Sequence, residues 1–146
     1  MEIQIKTFDN LSVMELYDLL KLRSEVFVVE QECIYLDIDG KDGKALHVLG
    51  ILEGKIVAYS RIFKAGDYFM NPSIGRVVVA KSHRKKGYAK VMMEAAMEYI
   101  FNSLKEGKIE LSAQTYLSRF YTELGFKIVG EAYLEDGIPH RKMIYG

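Results

Sequence analysis

Residues 74–114 constrain the architecture most. "IGRVVVA" (74–80) is a short β-branched run whose Val77, Val78 and Val79 are apolar on both faces, as in a strand covered on each side. A helix follows over about 86–102, with Met92, Met93, Ala96, Tyr99 and Ile100 at helical spacing, and then the strand "KIELSAQ" (108–114). A strand, a helical crossover and a second strand imply a parallel pair. The rest of the chain reads as antiparallel hairpins. The predicted class is therefore α/β in the broad sense, an α+β mixed sheet that is mostly antiparallel, with helices on both faces.

The other elements follow from the same rules. "EIQIKTF" (2–8) alternates with period two and reads as a strand. Ser12 stands three before Glu15, the spacing of a capping box, and Leu16, Leu19, Leu20 and Phe27 continue a helix over about 12–28. Periodicity then stops in the acidic, glycine-containing stretch 30–44, which is expected to be a long loop or a short second helix. "LHVLGIL" and "KIVAYSRIFK" flank Glu53-Gly54 as a hairpin. "YLSRFYTEL" is a short helix closed by Gly125, and two last strands meet at Asp136-Gly137.

A chain of 146 residues suffices for one domain, 1–146, with one real core. Lys+Arg and Asp+Glu balance at 20 each, without the basic surplus of a nucleic-acid binder. No segment has the apolar length of a membrane helix or the layout of a signal peptide. Cys33 is the only cysteine, so no internal disulfide forms and a reducing, cytoplasmic setting is expected.

Against that neutral total, Lys81, Arg84, Lys85, Lys86 and Lys90 crowd ten positions between the valine strand and the helix. Acids are preferred in the first turn of an ordinary helix, so the sign is wrong for stability alone. Free N–H groups at a helix start bind anions, and Gly87 is expected to let a ligand approach closely. The P-loop and dinucleotide fingerprints are both absent. A phosphate-bearing ligand is expected.

Arg84-Lys85-Lys86-Gly87-Tyr88-Ala89 fits R/Q-x-x-G-x-G/A and so resembles the pyrophosphate motif of the GNAT family of N-acetyltransferases. The preceding "RVVVA", the later "FYTELGF" and the strand order resemble that family over nearly the whole chain. "LLKLRSEVFVVEQ", "YLDIDGKDGKALHVLG" and "EDGIPH" look like its ElaA-type branch of small bacterial proteins. The resemblance implies the GNAT acyl-CoA N-acyltransferase fold, a splayed parallel pair, and acetyl-CoA as donor. CoA would lie along Val77, Val78 and Val79, with its pyrophosphate on Arg84, Lys85, Lys86, Gly87, Tyr88, Ala89 and Lys90. Tyr121 matches the family's tyrosine that protonates the departing thiolate. Its competing role is packing beside Phe120 and Phe126. Gln114, seven positions before Tyr121, stands where the family often has asparagine, so its contact with CoA is a weaker expectation.

For the base that deprotonates the amine, Glu30 is the first candidate, His47 the second and His140 the third. Gln31, Asp39, Glu135 and His140 are expected to border the acceptor, a small-molecule or peptide amine. Glu30, Glu32, Asp37, Asp39 and Asp42 face only Lys41 and Lys44 in sequence, a field that would draw an ammonium. A calcium loop fails because Lys41 and Val48 fall where acids are needed, zinc spacing is lacking, and no metal is expected. An exposed edge strand would let two copies pair as a homodimer. The alternative function is a non-catalytic acyl-CoA-binding or sensor protein on the same fold.

Overall fold

The computed structural model describes residues 1–146. Ten elements run in the order β1 (Glu2–Thr7), α1 (Val13–Arg23), β2 (Leu46–Leu52), β3 (Lys55–Phe63), β4 (Ser73–Val79), α2 (Tyr88–Asn102), β5 (Ile109–Gln114), α3 (Ser118–Glu123), β6 (Lys127–Glu135) and β7 (Ile138–Tyr145). They build one seven-stranded sheet in the order β1-β2-β3-β4-β5-β7-β6. All neighbours are antiparallel except β4 and β5. That parallel pair has a single register match, Ser73 opposite Glu110, after which the strands part. The edges are β1 and β6, and β6 is exposed along its whole length.

The alternation of β4 explains the layers. Val78 packs with Leu19, Leu22, Val26, Leu49 and Tyr59 beneath α1. Val77 and Val79 point the other way, against the larger cluster that α2 closes with Met92, Met93, Ala96, Met97 and Ile100. The valine run is apolar on both faces because a helix covers each face. The turns Glu53-Gly54 and Asp136-Gly137 both have two successive positive φ values, as two-residue hairpin turns require.

Ser12 and Glu15 form the reciprocal capping box, with Glu15 N–H donating to Ser12 Oγ at 3.0 Å and Ser12 N–H to Glu15 Oε1 at 2.8 Å. The predicted helix 12–28 is regular only to Arg23. Residues Ser24–Glu30 widen into a π-helical turn, continued by Gln31 N–H to Val26 O and Cys33 N–H to Val28 O. Such wide turns concentrate at functional sites. The loop that follows is also more ordered than its composition suggests. Residues 31–39 alternate, the odd positions turned inward and the even ones exposed.

One more irregularity shapes the sheet. Tyr59 pairs with Val78 and Arg61 with Gly75, so Ser60 alone opposes Arg76 and Val77. This is a β-bulge, and Arg76 takes the left-handed φ of 50° within it. The bulge bends β4 at the level where β5 diverges. No helix of the chain is long and apolar enough to cross a membrane.

Candidate active site

The basic turn leads from β4 to an uncapped helix. Gly87 is the N-cap residue of α2, no side chain caps the first turn, and no acid lies within it. Its φ is +78°, and a Cβ built there would meet nothing within 4 Å. The glycine is thus required by the left-handed backbone, and the space beside it is open. Lys85, Lys86 and Lys90 are exposed and Tyr88 and Ala89 half-buried. Arg84 is fixed: its Nε donates to Val79 O at 3.1 Å, and its Nη1 and Nη2 donate to Glu30 at 2.5 and 2.7 Å.

Where β4 and β5 separate, a cleft opens with about 920 Å³ of free space, part of it continuous with solvent. Its walls are Gly75, Arg76 and Val77 of β4, and Leu111, Ser112 and Gln114 of β5. Phe27 and Gln31 enter from the π-turn, Cys33 and Tyr35 from the following loop, and Glu135 and His140 from the last hairpin. Gln31 and Gln114 exchange amide hydrogen bonds at 3.3 Å in both directions. Tyr121 borders the cleft from α3. It is also packed edge-on against Phe120 and Phe126, so the packing and cleft-lining expectations both hold. Burial raises its phenol pKa, and no side chain of the protein hydrogen-bonds its hydroxyl.

The structure brings Tyr121, Gln31, Gln114, Glu135 and His140 together and separates them from three other candidates. Glu30 is not part of the cleft. The Arg84 hydrogen bonds hold its carboxyl below the usual range, which makes it a weaker base. His47 is fully buried under β2, with Nδ1 2.7 Å from Tyr59 Oη and Nε2 2.9 Å from Asp42 O. Both ring nitrogens are committed and burial lowers its pKa, so it is a structural histidine. Asp39 is gripped by Arg61, with Nη2 2.5 Å from Oδ2, and lies 3.5 Å from Arg76 Nη2. It is paired inside the protein and does not line the cleft.

The aspartates of the acidic loop are explained the same way. Arg23 donates to Asp37 at 2.8 Å and Asp42 at 2.7 Å, Arg61 to Asp39 and Asp42, and Arg76 Nε lies 2.8 Å from Asp37 Oδ1. The three aspartates therefore neutralise three arginines that sequence distance had hidden. The field expected to attract an ammonium is cancelled at its source. Burial would raise the Asp39 and Asp42 carboxyls, but hydrogen bonds and charge from the arginines outweigh it and hold both below the usual range. Groups whose pKa is depressed on folding stabilise the protein above their unfolded pKa and lose that contribution as pH falls. His47 acts with the same sign, because only the unfolded state protonates it readily. The urea midpoint is expected to fall first below about pH 6.5 and more steeply below about pH 4. A midpoint constant from pH 7 to pH 3.5 would contradict this network.

Comparison with known proteins decides the family. The acetyltransferase (GNAT) domain matches residues 13–145. The chain belongs to the GNAT family. Within it the chain lies on the ElaA-like branch. ElaA of Escherichia coli is 44% identical over 132 residues, covering 89% of this chain and 86% of that protein. Its crystal structure superposes with a TM-score of 0.92 at 41% identity over 99% of each chain. An acyl-CoA N-acyltransferase from Pseudomonas aeruginosa gives a TM-score of 0.93 at 36% identity over the whole of both chains. A UPF0039 protein of Schizosaccharomyces pombe is 43% identical over 145 residues, 98% of this chain and 95% of that one. Relatives of the chain are therefore not confined to bacteria.

Membership makes the chain an acyltransferase on a fold that uses acyl-CoA. The GNAT architecture gives each irregularity of this molecule a place. The single parallel match of β4 and β5 makes a wedge, the bulge at Arg76 bends one of its walls, and the uncapped start of α2 lies just beyond β4.

Proposed function

We propose that this GNAT protein is an acetyl-CoA-dependent N-acetyltransferase acting on a primary amine, either a small molecule or a peptide. The observation that carries this is the parting of β4 and β5, with a cleft bordered by Tyr121 between the strands and the uncapped basic start of α2 following β4 in the chain. The pyrophosphate of CoA would rest on the first-turn N–H groups of α2 and on Lys85, Lys86 and Lys90. Beyond Ser73, β4 has no hydrogen-bonded neighbour on the β5 side. The β5-facing backbone of the Val77, Val78 and Val79 segment, apart from the Val79 carbonyl that Arg84 occupies, would take the pantetheine as a partial strand. Amide groups at the bulge are suited to polarising the thioester carbonyl.

The amine attacks the thioester carbonyl carbon, forming the C–N bond, and collapse of the tetrahedral intermediate breaks the C–S bond. Tyr121 then protonates the thiolate. Its raised pKa keeps the phenol protonated until that moment. The lone thiol of Cys33 fits a reducing cytoplasm.

Tyr121→Phe tests the reading. The expected result is a loss of kcat of about tenfold to a hundredfold with acetyl-CoA affinity unchanged. A non-catalytic acyl-CoA binder would have no turnover to lose, and an unchanged kcat would remove Tyr121 from the chemistry.

A further inference from the structure

The hairpin end of the cleft carries a polar cluster that the chemistry above does not use. His140 is buried, with Nδ1 2.7 Å from the carbonyl oxygen of Ile138. A carbonyl only accepts, so Nδ1 carries the proton and Nε2 is left as the ring's proton acceptor. Nε2 lies 3.3 Å from Glu135 Oε2. The other carboxylate oxygen, Oε1, accepts from Ser112 Oγ at 3.3 Å. With the Ser112 proton spent there, Tyr133 Oη donates to Ser112 Oγ. Burial and the nearby Glu135 and Glu110 carboxylates raise the Tyr133 pKa and keep it a donor. The Tyr133 ring also stacks on His140, with centroids 6.2 Å apart.

These bonds all point one way. The chain Tyr133, Ser112, Glu135 delivers its donor to the far oxygen of the carboxylate and leaves the near oxygen to the His140 ring. The near oxygen and Nε2 then face each other as two acceptors. Such a pair needs either a shared proton or a third group that donates to both. An alkylammonium brings three N–H donors. His140, Glu135 and Ser112 all line the cleft that Tyr121 borders.

We propose that His140 and Glu135 together form the ammonium-binding and proton-accepting site of the acyl transfer, with Ser112 and Tyr133 positioning the carboxylate. This rests on the acyltransfer reading given above. Two protons leave the acceptor nitrogen as its lone pair forms the C–N bond and the C–S bond breaks. One ends on the CoA sulfur by way of Tyr121. The other passes to Nε2, is held there opposite Glu135, and leaves through the half-exposed carboxylate to water. Glu30 and His47, the two bases that sequence order favoured, are not needed.

The test compares two small probes: ethylamine, an ammonium at neutral pH, and methoxyamine, already neutral there. Both are small enough to enter the cleft whatever the natural acceptor. Acetyl transfer from acetyl-CoA is measured for wild type, His140→Gln and Glu135→Gln, after subtraction of the uncatalysed rate. Loss of the base should slow transfer to ethylamine by about a hundredfold and leave methoxyamine within about threefold. Acetyl-CoA affinity should not change. Glu135 is half-exposed, so its variant serves if His140→Gln does not fold. Equal losses with the two amines would reduce the pair to a structural role and overturn the proposal, as would undiminished ethylamine transfer. If wild type accelerates transfer to neither amine, the acetyltransferase reading fails and the pair's role falls with it.

Discussion

Gly87→Glu is expected to abolish acetyl-CoA binding in a calorimetric titration, weakening it by about a thousandfold or more. The substitution places a carboxylate at the N-cap of α2, where the helix leaves its first N–H groups unpaired and no acid intervenes. Two effects add. The carboxylate occupies those donors itself, as N-cap acids do. It also repels the pyrophosphate from the place where Lys85, Lys86 and Lys90 would gather it. Each charge-assisted hydrogen bond lost is worth roughly 1.5–3 kcal/mol, so two losses and the repulsion reach the stated magnitude. Gly87→Ala separates charge from backbone strain. A methyl group there meets nothing within 4 Å, and only the left-handed φ of +78° opposes it. That costs roughly 1–2 kcal/mol, so binding should stay within about tenfold of wild type. Wild-type affinity in the glutamate variant would show that CoA phosphates do not rest on this turn.

The turn was legible in sequence because its signal is local. A valine strand, basic residues without acids, a glycine and an apolar helix all fall within residues 74–102. The capping box at Ser12 and the hairpin at Asp136-Gly137 were legible for the same reason. Each is a motif whose donors, acceptors and φ values are set within a few residues.

What sequence order misjudged was long-range. The aspartates of the 31–45 loop were read as free because their partners sit on α1, β3 and β4. A signal for this was nonetheless present. Arg23 falls on the face marked by Leu19, Leu22 and Val26, at helical spacing, so it points inward with them. Arg61 alternates with Tyr59 and Phe63 on the inward face of β3 and is 1% exposed. An arginine on an apolar face must be paired, and the period-two spacing of Asp37 and Asp39 supplies inward carboxylates. His47 and Glu30 were misjudged by the same omission. Sequence order placed both beside the 31–45 loop, and the hydrogen bonds that occupy them come from elsewhere in the fold. His140 ranked below them because nothing local distinguishes a strand histidine from any other, and Glu135 was expected only to border the acceptor. Only the register of β6 on β7 sets Tyr133 opposite His140, and only that of β5 on β7 brings Ser112 beside them.

The same network sets the largest expected loss of stability, at Arg23→Met. Arg23 is fully buried and makes three charge-assisted hydrogen bonds: Nε to Asp37 Oδ2 at 2.8 Å, Nη1 to Asp42 Oδ1 at 2.7 Å and Nη2 to Asp37 O at 2.9 Å. Methionine fills much of the volume but leaves three aspartates facing two arginines, with one buried negative charge in excess. Breaking a buried pair from one side costs about 3–5 kcal/mol. For a chain of this size that lowers the melting temperature by about 10 °C. Lys21→Met is the contrast. Its partner Glu25 lies 3.6 Å away in solvent on the same helix, and a change within about 0.5 kcal/mol is expected. Function should follow stability at Arg23. Asp37 and Asp42 pin the loop that carries Cys33 and Tyr35 into the cleft, so a loosened loop weakens the acceptor wall and not the CoA turn. At a temperature where the variant is still folded, the acceptor KM should rise while acetyl-CoA affinity holds. Equal melting temperatures for the Arg23 and Lys21 variants would mean that the buried charges are relaxed by water, and that the loop is held by its side-chain packing alone.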